Sequence, residues 1–119
     1  MLPDFDIDLG ETDPIREVIL LALCMAQVDG ATALAFGPPL PEGGGTPIRY
    51  EIEGAWHDFP PYSTPMTVVA AELERMAGIS QDTPEGLLDR TIEGTRMRWR
   101  VIATTPGAEY LLTPLPAGL

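Results

Sequence analysis

"PIRYEIEGAW", residues Pro47 to Trp56, alternates apolar and polar side chains and turns on Glu53-Gly54. "LDRTIEGTRMRW", residues Leu88 to Trp99, repeats the pattern around Glu93-Gly94. Alternation of period two marks a strand with one buried face, and a two-residue loop is a favoured hairpin length. Each stretch is therefore read as a β-hairpin, and the turn sets its register. In the first hairpin Ile52 faces Ala55, Tyr50 faces His57 and Ile48 faces Phe59, while Arg49 falls opposite Asp58 on the reverse. In the second, Ile92 faces Thr95 and Leu88 faces Trp99, with Met97 and Val101 on the same apolar face. On its reverse Asp89 lies opposite Arg98, flanked by Arg96 and Arg100.

Both hairpins thus offer an apolar face to helices and an Arg–Asp pair on the other side. Cross-strand pairing of opposite charges accounts for most of this arginine stripe. What it leaves over is Arg96, Arg98 and Arg100 projecting together, the one basic cluster of an acidic chain. Guanidinium groups in such a cluster suit a carboxylate or phosphate presented by a partner.

Ahead of the first hairpin, "DPIREVILLALCMAQVDG" (Asp13 to Gly30) reads as a helix, with Asp13 as cap, Pro14 at the first helical position and Gly30 at the exit. Ile15, Val18, Ile19, Ala22, Met25 and Ala26 make one apolar face, and Leu20, Leu21, Leu23 and Cys24 carry apolarity most of the way round. A helix apolar on nearly every side is covered on more than one side, here by the sheet and by either a second helix or a partner chain. Leu20, Leu21 and Leu23 are accordingly candidates for a docking surface, with Arg49, Arg96, Arg98 and Arg100. "ATALAF" (Ala31 to Phe36) is a short buried strand, and "GPPLPEGGG" (Gly37 to Gly45) a mobile loop. "STPMTVVAAELERMAG" (Ser63 to Gly78) is a second helix capped by Ser63 or Thr64, with Val68, Val69, Ala71, Leu73 and Met76 facing the core and Glu72 and Arg75 outside. A last strand is "EYLLT" (Glu109 to Thr113). The expected order is α-β-β-β-α-β-β-β, an α+β fold with an antiparallel sheet backed by helices. It forms one domain over residues 13–115, between an acidic arm (1–12) and a short tail (116–119). The repeated "IEG" hints at pseudo-symmetry between the halves.

Composition narrows the functional classes. The 119 residues include 45% hydrophobic and 21% charged side chains, ordinary for a globular domain. A formal charge of −11, with arginine as the only basic residue besides His57, argues against nucleic-acid or anionic-membrane binding. The longest apolar run, Val18 to Ala26, is nine residues and too short to span a bilayer. The acidic start "MLPDFDIDLG" lacks the positive segment of a signal peptide, so a cytoplasmic location is expected. Cys24, the single cysteine, is expected to be buried and inert. Asp4, Asp6 and Asp8 invite a calcium-loop reading, but Leu9 and Ile15 stand where its glycine and bidentate glutamate belong. His57 has no nucleophile beside it, and no phosphate-cradling or metal-binding motif is present. No cofactor is expected, and no enzyme.

Read in order, these segments resemble the domain that precedes the ATPase core in type II secretion and type IV pilus assembly ATPases. The resemblance rests on "GATALAFGP" (Gly30 to Pro38), "IRYEIEG" (Ile48 to Gly54), "LERMAGI" (Leu73 to Ile79), "TPEG" (Thr83 to Gly86) and "RVIATTPGAE" (Arg100 to Glu109). It implies a PAS-like fold, in a domain that is not itself the catalyst and packs against a neighbouring nucleotide domain. By motif position Arg49 and Arg100 match two arginines of that family. Ala33, Ala35 and Gly37 replace its Asp, His and Glu, Glu51 replaces its second arginine, and Pro114 stands near its last-strand arginine. With no phosphate-binding core in the sequence, a free-standing relative kept for its surfaces is expected. Its partner would be a secretion or pilus ATPase, an adaptor, or a second copy of the chain. Other readings are a PAS-like ligand sensor, with Tyr50, His57, Trp99 and Met97 as walls, and a degenerate fragment of a larger ATPase.

Overall fold

The computed structural model describes residues 13–40, 45–60, 62–92 and 94–115. The acidic arm with its three aspartates, the glycine stretch 41–44 and the tail lie outside the described residues. The elements run α1 (Pro14–Val28), β1 (Ala33–Phe36), β2 (Ile48–Ile52), β3 (Ala55–Asp58), α2 (Met66–Ala77), β4 (Glu85–Ile92), β5 (Thr95–Thr105) and β6 (Glu109–Pro114). This is the expected order, and the six strands form one antiparallel sheet in the spatial order β3-β2-β1-β6-β5-β4.

The two hairpins are the opposite wings of that sheet, joined at its centre by β1 and β6. Their register is the one that the turns dictate: Arg49 opposite Asp58, Tyr50 opposite His57, Leu88 opposite Trp99 and Asp89 opposite Arg98. At the first turn Glu53 and Gly54 both take positive φ, 52° and 84°, as a two-residue loop matched to the twist of its strands requires.

Alternation then sorts the side chains between faces. Leu34, Phe36, Ile48, Leu88, Met97, Trp99, Val101, Tyr110 and Leu112 point to one side and build the core with α1 and α2. Cys24 is buried there, its Sγ 3.9 Å from the sulfur of Met97. No described helix is long and apolar enough to cross a membrane.

Helix α1 begins where Asp13 accepts from the backbone N–H of Ile15 (2.9 Å) and Arg16 (3.3 Å). The start of α2 differs from expectation. Neither Ser63 nor Thr64 caps it; Pro65 holds the cap position, and its carbonyl accepts from Val68 and Val69. The Thr64 carbonyl is instead taken by the Thr46 hydroxyl at 2.7 Å.

The buried side of α2 is also rotated from the expected one. Met66, Val69, Ala70, Leu73 and Ala77 face inward, whereas Val68 and Ala71 are exposed. Glu72, expected outside, is 5% exposed. Its carboxylate lies 2.7 Å from Arg16 Nε on α1 and 3.2 Å from Arg75 on its own helix. A buried carboxylate is tolerated when cations meet both oxygens, and this arrangement puts the polar seam between the helices.

The seam decides what covers α1. Leu20 and Leu23 are fully buried, and Leu21 is half-buried against the core. Leu20 and Leu23 are therefore not available to a partner. The second cover for this apolar helix is α2, from the same chain.

Two further contacts hold α2 to the sheet. A Cβ on Gly86 would sit 2.0 Å from the Ala77 carbonyl oxygen, so the end of α2 touches β4 where only glycine leaves room. The Tyr110 hydroxyl accepts from the Gly107 N–H at 2.8 Å and donates to the Glu74 carboxylate, joining α2 to the β5–β6 turn.

Candidate functional site

Both helices pack on one face of the sheet, and among the described elements none packs on the other. That second face holds every arginine singled out in the sequence. Across it, pairing places side chains in rows perpendicular to the strands. One row runs Glu85, Ile102, Leu111, Ala35, Arg49, Asp58. The adjacent row runs Leu87, Arg100, Thr113, Ala33, Glu51, Trp56, with Ala33 and Thr113 flanking the paired Leu34 and Leu112.

The arginines are not arranged as simple opposite pairs. Asp89 faces Arg98, but that contact is 3.8 Å. Its carboxylate is gripped at both oxygens by Arg96, at 3.1 and 2.7 Å. Arg100 likewise reaches Glu85 at 2.6 Å, although Glu85 is registered opposite Ile102. Both bonds run along the same diagonal, each carboxylate taking the arginine two residues before its direct neighbour. Strand twist shortens one diagonal of an antiparallel pair and lengthens the other. The hydrogen-bonded Arg96 guanidinium holds the Asp89 carboxyl below its ordinary value, and Asp89 raises Arg96 in return. Glu85 raises Arg100 in the same way.

Arg49 stands apart. It lies across β1 and β6 from the β5 arginines, three strand spacings or roughly 14 Å away. Its guanidinium sits over the Trp56 ring, 5.3 Å from the centroid, rather than on Asp58. Cation–π contact with an exposed indole fixes both groups without using the arginine's hydrogen-bond donors on a carboxylate.

The apolar members of this face carried no flag in the sequence. Trp56 is 44% and Leu87 39% exposed, and Ile102 and Leu111 are half-buried neighbours between them. The readable signal was an apolar residue in the outward phase of an alternating strand, as Ile102 is between Arg100 and Thr104. The central Ala33 and Ala35 leave the middle of the face low.

The residues expected to wall a ligand pocket do not converge. Tyr50 and His57 stack at 5.4 Å on the β2–β3 wing, beside Phe59. Met97 and Trp99 lie on β5, three strands away, within the core packed under α1 and α2. Among the described residues, no group of three or more His, Cys, Asp or Glu side chains is placed to hold a metal.

No protein-family model matches the chain, and no curated protein matches it. Among solved structures it is similar to the pilus retraction motor PilT with bound ADP, at 18% sequence identity and a TM-score of 0.49 over 92% of this chain. The likeness takes in 31% of that motor, so the chain spans less than a third of its length.

Proposed function

We propose that this chain is a non-enzymatic protein-interaction domain, related to the domain that precedes the ATPase core in type II secretion and type IV pilus assembly ATPases. Five sequence segments in family order support the kinship. The observation that carries the interaction role is the one-sided sheet. Two helices close the core on one face, while the opposite face presents Trp56, Leu87, Ile102 and Leu111 among arginines held by Asp89 and Glu85. Aromatic and arginine side chains with central aliphatic contacts are the composition favoured where proteins meet. The pre-formed ion pairs orient the arginines before a partner arrives, which reduces the entropy lost on binding.

The role is tested by affinity capture from source cells with wild-type protein and with Ile102→Glu, whose new charge sits beside Leu111 on this face. The reading expects a protein bound by the wild type and lost from the variant, with both unfolding cooperatively and so both folded. Capture unchanged by a charge at Ile102 would remove the helix-free face from the interaction.

A further inference from the structure

We infer that two copies of this chain pack helix-free face against helix-free face, about a two-fold axis running along β1 and β6. Arg100 of each copy then meets Glu51 of the other, and Leu87 of each meets Trp56 of the other. The inference rests on reading this face as the interaction surface, and it names the occupant.

Charge limits where two copies can touch. The chain carries −11 overall. The helix-free face holds four of the seven arginines, Arg49, Arg96, Arg98 and Arg100, against Glu51, Asp58, Glu85, Asp89 and Glu109. Four cations against five carboxylates leave it at −1, so the remaining −10 lies elsewhere in the chain. Two copies approaching through this face avoid most of the repulsion between like-charged molecules.

The order of residues across the sheet supplies the complementarity. A two-fold axis along the sheet centre places β4 over β3, β5 over β2 and β6 over β1 of the second copy. The row that begins at Leu87 then matches its own reverse. Leu87 lands on Trp56, Arg100 on Glu51 and Thr113 on Ala33, each contact occurring twice. Arg100, already 2.6 Å from Glu85, has a second carboxylate within reach of its remaining donors. In the other row Leu111 falls on Ala35, where the small side chain admits it. Ile102 falls on Arg49, and the two acidic ends, Glu85 and Asp58, meet at the same edge strands as Leu87 and Trp56, where Arg100 already holds Glu85.

The size is adequate. Six strands about 4.8 Å apart and about five residues long give a face of roughly 29 by 17 Å. That is about 500 Å² in projection, and more in accessible area, near the low end of what a specific interface needs from each partner.

Sedimentation velocity across roughly 1–300 µM protein tests the inference, with Arg100→Glu, Glu51→Arg and the double swap beside wild type. Wild type is expected to dimerise. Either single swap places like charges together at two symmetric sites and should weaken association at least about tenfold. The double swap restores the opposite-charge contact and should return the affinity to within about threefold of wild type. Cooperative unfolding of each of the four proteins, measured below the concentration at which wild type associates, shows that each is folded.

A wild type that stays monomeric throughout overturns the inference, as does a dimer that neither single swap weakens. Capture of a different protein by a monomeric wild type, lost in Trp56→Glu, overturns the dimer and leaves the reading of the face standing. A dimer unchanged by Arg100→Glu, Glu51→Arg and Trp56→Glu alike counts against both.

Discussion

Asp89 sits directly across the hairpin from Arg98 but bonds at both oxygens to Arg96, one step along the diagonal. Arg96 holds the Asp89 carboxyl below its ordinary value. The folded state therefore binds this proton less readily than the unfolded chain. The contribution is fully present above the unfolded value of about 3.9 and is lost as pH falls through the lower folded value. Asp89→Asn should be less stable than wild type at neutral pH, with the gap closing in strong acid. Denaturation midpoints at pH 7 and near pH 2 check this, and an equal gap at both would show the bond contributes nothing.

The Glu72 seam makes a second, asymmetric expectation. Arg16 and Arg75 both contact the buried carboxylate, but the Arg75 side chain is 68% exposed and that of Arg16 33%. Removing Arg16 strands a desolvated charge between two helices. Arg16→Met should cost about 2 kcal/mol or more, whereas Arg75→Met should cost under about 1 kcal/mol. Urea unfolding of the two variants ranks them, and the reverse order would mean that Glu72 is solvated.

Tyr110 should titrate late. Burial and the bond to Glu74 push its hydroxyl up to about 12. Because the folded value is raised, its stabilisation is complete below the unfolded value of about 10 and fades as pH rises through the folded one. Absorbance at the phenolate band should show a late step that Tyr110→Phe removes. The same substitution should cost about 1–2 kcal/mol by leaving the Gly107 N–H and Glu74 without their shared partner.

Leu23 belongs to the core, so Leu23→Ala should lower stability by about 2–5 kcal/mol through the cavity it leaves. It should leave the self-association of the folded protein unchanged. A loss of association without a loss of stability would return α1 to the list of docking surfaces.

Element order, hairpin register and the split of the sheet into an apolar and an arginine-bearing face are legible in the residues, although β3 is exposed on both of its sides. Those features are local: a two-residue turn and a period of two leave one register that buries Trp99 and Leu88 together. The sequence also marked the arginines, because no other basic side chains compete with them in this chain. It did not reveal that α2 covers α1, so Leu20 and Leu23 looked available. Both helices carry more apolar surface than one contact needs, and only packing decides which neighbour takes it. Nor could it rotate α2, since Glu72 turns inward only when Arg16, 56 residues earlier in the chain, is there to meet it. The diagonal bonds of Arg96 and Arg100 arise from sheet twist, and the run from Leu87 to Trp56 exists only once β4 and β3 stand at opposite edges of one sheet. Local spacing writes the strands; long-range pairing and the burial of charge compose the surface.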